Sequence, residues 1–261
     1  MFGDESTAAR WDLVAEAWGP GPPPLWRLHS DAVNARLIER WIPGPVGSVL
    51  KTDLFDELAS PGLYPVLRSR ASEVVGIDIS PETRGAAAAR HPGLGTEVAS
   101  VVELPFDDAS FDAAVSNSTL DHLPGREEVA AALAELARVL RPGGRLLITL
   151  DNPLNPLIAA RNALPAETAR RLRGVPFGAG WTCGPRRLRA MLRESGFEVA
   201  QETAIMHAPR VAVAALDRRR PWRRDSARVV ARLLEAERLE RWPSRYLTGH
   251  FAAALGLRSQ P

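Results

Sequence analysis

Cysteine occurs once in this chain, at Cys183, and lysine once, at Lys51. A lone thiol excludes an intrachain disulfide framework and points to a reducing, cytoplasmic setting. No group of histidines and cysteines has metal-ligand spacing, so no metal is expected. Long apolar runs are missing as well. None approaches the roughly 20 residues that span a bilayer, and the polar start MFGDESTAARWDLV has no signal-peptide pattern. Charge of one sign is not in excess: 33 basic residues face 31 acidic ones, a formal net charge of +2. That balance weakens any case for a nucleic-acid partner. The densest basic run, Asp217 to Arg224, reads first as a solvated face, and no nucleic-acid-binding motif accompanies it.

What is present suits a globular domain. The chain is 45% hydrophobic and 25% charged, and its 261 residues can hold one α/β domain with decorations. Residues 1–44 read as an N-terminal extension and helix. GPGPPP (Gly19 to Pro24) breaks the chain, then Leu25, Leu28, Val33, Leu37, Ile38 and Trp41 recur at helical spacing until Pro43-Gly44. Residues 45–261 read as the main domain. Strands are expected near Ser48–Thr52, Glu73–Asp78, Glu97–Val101, Asp112–Asn117 and Arg145–Leu150. Between them lie helices near Ser60–Arg70, Pro81–Arg90 and Arg126–Leu140. Crossovers of this length force parallel pairing. Helical insertions at about 152–180 and 209–241 flank a helix over Pro185–Ser195 and a strand over Gly196–Ile205. The last segment, Tyr246 to Leu257, reads either as a final strand or as a terminal helix. The expected fold is α/β, a doubly wound, mostly parallel sheet with ligands at the carboxyl ends of its strands.

Four segments carry a family resemblance: VVGIDIS (Val74 to Ser80), LPFDDASFD (Leu104 to Asp112), the strand end Asn117, and RPGGRLLITL (Arg141 to Leu150). Together they resemble the central half of class I S-adenosylmethionine-dependent methyltransferases, in the branch that modifies small molecules. The resemblance implies a seven-stranded, Rossmann-like sheet whose last strand is antiparallel. It implies S-adenosylmethionine as cofactor and transfer to an oxygen or nitrogen atom of a small molecule. It further implies that Asp78, with Ile79 beside it, holds the cofactor ribose. Ser100 stands where relatives carry an acid for the adenine amino group, the amide of Val101 can still donate to the ring, and Asn117 faces the methionine part. Apart from any resemblance, a carboxylate ending the second strand is suited to paired ribose hydroxyls. The alternative is a helix cap, for which Ser80 is better placed.

The first strand departs from that family. Relatives read roughly Val-Leu-Asp-x-Gly-x-Gly-x-Gly, whereas this chain reads Val49-Leu50-Lys51-Thr52-Asp53-Leu54-Phe55-Asp56-Glu57. A loop with side chains at all three glycine places is expected to move back from the ligand. Either Lys51 meets the cofactor carboxylate while Asp53 or Asp56 meets its ammonium, or these residues form an internal salt bridge. Candidate bases are His122, oriented by Asp121, and His207; each also reads as a capping or core histidine. Asn152, Asn155, Arg161 and Arg210, with Asn162 and His207, are expected around an acceptor, against plain turn chemistry for the asparagines. A non-catalytic member binding another ligand or partner with the same sheet is the alternative function. A nicotinamide dehydrogenase is disfavoured, because no G-x-G-x-x-G follows the first strand.

Overall fold

A computed structural model of the chain describes residues 4–17, 21–163, 180–218 and 225–260. Seven strands form one sheet: β1 (Val46–Lys51), β2 (Ala71–Asp78), β3 (Gly95–Val98), β4 (Phe111–Asn117), β5 (Leu140–Asp151), β6 (Phe197–Ile205) and β7 (Phe251–Arg258). Their order is β3-β2-β1-β4-β5-β7-β6. The first five pair in parallel, and β7 runs antiparallel between β5 and β6. The order reverses beside β1, and that reversal opens a crevice at the carboxyl ends of β1 and β4.

The middle strands are covered on both faces, as parallel strands are. Against one face pack α6 (Arg126–Val139) through Val129, Leu133 and Leu136, and α8 (Pro185–Glu194) through Leu188, Met191 and Leu192. Against the other pack α2 (Leu25–Trp41) through Val33, Leu37 and Trp41, α4 (Tyr64–Arg68) through Leu67, and α5 (Pro81–Arg90) through Ala87. Two helices sit over the crevice: α1 (Asp4–Ala17) and α3 (Phe55–Ala59). The remaining helices among the described residues are α7 (Pro156–Asn162), α9 (Arg210–Arg218), α10 (Ser226–Leu233) and α11 (Arg245–Thr248), with 3-10 segments over Leu120–His122 and Leu234–Arg241.

Several expectations need correction. The helix read over Ser60–Arg70 is two short helices, α3 and α4. The break falls at Ser60-Pro61-Gly62, where Gly62 has φ +64° and Pro61 has no N–H to donate. The third strand lies nearer the amino terminus, at Gly95–Val98, and Ser100 instead bridges to Glu103. The terminal segment is a strand despite its alanines. Ala252, Ala253 and Ala254 lie between two neighbouring strands and under packed layers, where small side chains suffice. Within the stretch read as helical over 209–241, the described residues form α9, α10 and a 3-10 segment. Residues 219–224 of the basic run, and 164–179 of the first insertion, lie outside the described residues. No helix among the described residues is long and apolar enough to cross a membrane.

Candidate cofactor and acceptor site

Asp78 ends β2 with only 9% of its surface exposed. Its Oδ2 accepts the Leu54 amide at 3.0 Å and its Oδ1 the Ser80 amide at 2.9 Å. These donors fix the carboxylate while leaving lone pairs free for two further donors. Burial raises its pKa to about 6, against the pull of both amides. Ser80 is itself the cap of α5, accepting the Thr83 amide at 3.0 Å. The capping role thus falls to Ser80, and the Asp78 carboxylate remains at the cavity wall.

The loop after β1 fits without glycine because its neighbours make room. Leu54 turns onto β2, where a Cβ at Gly76 would stand 2.3 Å from Leu54 Cδ2. Glu57 turns inward, and a Cβ at Gly62 would meet its Oε1 at 2.6 Å. That Oε1 accepts the amides of Leu63 and Tyr64. Lys51, 1% exposed, donates to the Asp53 carbonyl at 2.7 Å, and its Nζ lies 3.3 Å from Asp53, 3.4 Å from Asp56 and 3.0 Å from Glu57. Arg27 of α2 reaches the same cluster, 2.7 Å from Asp56 Oδ1 and 2.6 Å from Asp31. Asn117 donates to the other Asp56 oxygen at 3.1 Å, and Thr119 donates to Asp53 at 3.0 Å.

Burial alone would lower the pKa of Lys51 and of Arg27, yet both are raised because the surrounding carboxylates outweigh it. The internal salt bridge is therefore the reading the geometry supports for Lys51. Its ammonium is spent on three acids and does not belong to the cavity wall, which corrects the expectation that it meets a cofactor carboxylate.

A cavity of about 230 Å³ runs along the strand ends. Asp78, Ile79, Ser100 and Val101 line one part of it, and Thr52, Asp53, Asp56, Asn117 and Thr119 the middle. Beyond β4, at and after the ends of β5 and β6 and at the start of β7, stand Asp151, Arg161, Met206, Arg210, His250 and Phe251, and Trp26 and His29 of α2 also line the cavity. Ser118 and Met206, both on the wall, are left-handed non-glycine residues at φ 53° and 60°. Such backbone costs roughly 1–3 kcal/mol and clusters at functional sites. Trp11 of α1 closes the cavity against the His122 ring, edge-on with centroids 5.0 Å apart. Asp12 ties α1 down through the Ser80 hydroxyl at 2.5 Å.

The structure therefore gathers Asp53, Asp78, Ile79, Ser100, Val101, Asn117, His122, Arg161 and Arg210 around one space. It turns four other candidates away. His207 is buried, with its ring nitrogens 2.8 Å from the Thr248 hydroxyl and 3.0 Å from the Ala204 carbonyl, so it is a core histidine. Asp121 accepts the Ser118 hydroxyl and the Asp151 amide, which fixes a turn and leaves it off the cavity wall. Asn152 donates to the carbonyls of Tyr246 and Gly249, and Asn155 to those of Thr248 and Gly249. Both asparagines clamp the chain entering β7; turn chemistry wins over acceptor binding. Asn152→Ala should lower stability by about 1–3 kcal/mol, the cost of buried carbonyls left without donors. Urea unfolding and a ligand titration on the same sample check this: unchanged stability with weakened binding would contradict the clamp.

Reading the sequence missed other wall residues: Thr7 and Trp11 of α1, Trp26, Arg27, His29 and Ser30 of α2, and His250. An arginine flanked by Trp26 and His29 in an otherwise core-facing helix was the available signal for α2. His250 lies 3.5 Å from Asp151, which also pairs with Arg161. Burial, aided by Arg210 and Arg161, lowers its pKa to about 3, and burial lowers that of His29 to about 4. Both rings are neutral at pH 7. Burial pushes the Cys183 thiol up to about 11, so the lone cysteine is no nucleophile at neutral pH.

A seven-stranded sheet with β7 reversed between β5 and β6, and an acid-ended β2 on the crevice, is the class I methyltransferase architecture. A "SAM-dependent methyltransferase, possible histamine N-methyltransferase" from Thermotoga maritima superimposes with a TM-score of 0.60 at 15% identity, covering 90% of this chain and 92% of that one. Residues 61–148 match the family described as "Methyltransferase domain". Demethylmenaquinone methyltransferase of Beutenbergia cavernae is 32% identical over 57% of this chain and 55% of its own length. The 27-O-demethylrifamycin SV methyltransferase of Amycolatopsis mediterranei is 40% identical over 39% of this chain and 35% of its own. The chain thus spans about half or less of the length of these curated relatives. Its residues 61–148 match a methyltransferase-domain family and its sheet has the class I methyltransferase fold, a class whose cofactor is S-adenosylmethionine.

The residues present suit that cofactor. Asp78 is a fixed acceptor for hydroxyl donors, and Asp53 and Asp56 put carboxylate on the wall where a cationic ligand gains from it. Among the described residues no group of histidine, cysteine and acidic side chains could hold a metal ion.

Proposed function

We propose that the chain transfers a methyl group from S-adenosylmethionine to an oxygen or nitrogen atom of a small molecule. The observation that carries this reading is a single cavity joining Asp78, at one part, to a mixed chamber of Trp26, Met206, Phe251, Arg161 and His250 at the other. Asp78 holds the ribose, Ile79, Ser100 and Val101 flank the adenine, and Asp53 and Asp56 face the positive charge. When bound, the cofactor supplies an electrophilic methyl on a sulfonium. The chain's own part is largely to position the acceptor and exclude water. The described parts of residues 1–44, helices α1 and α2, act as a cover over the domain of residues 45–261. His122 is the wall histidine nearest Asn117 in sequence, and we assign it the acceptor proton when the acceptor is a hydroxyl.

Two relatives support a small acceptor by their names alone, a demethylmenaquinone methyltransferase and a 27-O-demethylrifamycin SV methyltransferase. Labelled-methyl transfer from S-adenosylmethionine to a panel of phenols, hydroxy acids and amines tests the reading. Product with wild type, and about 10- to 150-fold less of it with Asp78→Ala at limiting cofactor, is the expected result. Binding of the cofactor with no transfer to any class of acceptor would favour the repurposed, non-catalytic reading that the missing glycines first raised.

A further inference from the structure

The cluster beneath the cavity holds more acid than base. Arg27 and Asp31 come from α2, Lys51 from β1, Asp53 from the loop after it, and Asp56 and Glu57 from α3. That is two cations against four carboxylates, and Asp78 of β2 adds a fifth beside them. The neutral partners are few and named: Asn117 on Asp56, Thr119 on Asp53, Ser60 on Asp31, and the amides of Leu63 and Tyr64 on Glu57. Asp53, Asp56 and Asp78 belong to the cavity wall together with Arg27, while Lys51 and Glu57 lie behind it.

Such a cluster is balanced in charge only if it keeps protons or gains a cation. Burial raises the pKa of Asp31 and Asp53, and takes Glu57 up to about 7 and Asp78 to about 6. Asp56 alone is held below the usual range, because Arg27 and Lys51 together outweigh its burial. A fixed positive charge entering the cavity supplies what the two cations do not. At low effective dielectric that charge is felt over several ångströms.

We propose that the surplus of carboxylates makes this site select the cationic form of its nucleoside ligand over the neutral, demethylated form. The proposal rests on the reading of the cavity as the S-adenosylmethionine site. The sulfonium form is held and the thioether form is released, with Glu57 acting as a positioning charge from behind the wall.

Two stable probes separate the charge from everything else. S-adenosylhomocysteine is neutral at the sulfur, and sinefungin carries an ammonium near that place; their adenosine and amino-acid parts are alike. At pH 8 calorimetry should show sinefungin binding about tenfold or more tighter than S-adenosylhomocysteine, as one added charge at low dielectric requires. At pH 6, where Glu57 and Asp78 take up protons, that advantage should fall to about threefold or less. Glu57→Gln should shrink the advantage at pH 8 and flatten its pH dependence. The wild-type pH series stands without the variant. Equal affinities at pH 8, or an advantage indifferent to pH, would overturn the proposal and leave the cofactor reading intact. Failure of both probes to bind would overturn the cofactor reading itself.

Discussion

Lys51→Met should lower folding stability by about 3–5 kcal/mol, the cost of removing one partner from a buried ion pair. Its ammonium is the shared counter-charge of Asp53, Asp56 and Glu57, at 3.0–3.4 Å from each. Methionine keeps the four-atom stem and lacks only the terminal ammonium, so the loss is chiefly electrostatic. Glu57 and Asp53 would then hold their protons to higher pH than they do already. The double variant Lys51→Met/Glu57→Gln should recover part of the loss, since replacing both members of a pair by neutral groups costs less than stranding one. The pKa of Lys51 is raised, so its contribution is present throughout neutral pH and is lost only above the ordinary lysine range. Urea unfolding at pH 7.5 measures both effects. A single variant within about 0.5 kcal/mol of wild type, the scale of an ordinary surface substitution, would show that the network does not hold the loop.

Asp78→Ala should weaken binding of S-adenosylhomocysteine by about 1.5–3 kcal/mol, roughly 10- to 150-fold, as for hydrogen bonds made to a charged group. The same carboxylate also fixes the amides of Leu54 and Ser80, so some stability goes with it. Asp78→Asn keeps one oxygen acceptor for a backbone amide but sets its NH2 against the other, and it lacks the second acceptor that a ribose diol needs. Melting curves and titrations on both variants should show some stability lost in each, with Asn near Ala in affinity. An unchanged affinity in folded Asp78→Ala would remove this residue from the site.

Much of the fold was legible because local patterns and tertiary structure agree. The βα alternation, the acid ending β2 and the helix over Pro81–Arg90 are each set by residues close in sequence. The sites that misled are those where spacing does not say which way a side chain faces. His207 and His250 sit on either side of the β6–β7 connection; one is satisfied by backbone and hydroxyl partners, and the other lies on the cavity wall. Asp121, Asn152 and Asn155 are polar residues at the functional edge, but their partners are turns and the chain entering β7. The glycine-free loop was legible as an anomaly only. Its resolution depends on Gly76 and Gly62 giving room, and on Arg27 arriving from a helix formed far earlier in the chain.

Calorimetric titration of the wild-type chain with S-adenosylhomocysteine tests the central claim most directly, namely that KTDLFDE holds a working cofactor site without glycines. One-site binding with a Kd of about 1–100 μM is the expected result, a free energy near −8 to −5.5 kcal/mol. A folded protein showing no saturable heat at about 1 mM ligand, weaker than −4.1 kcal/mol, would contradict it.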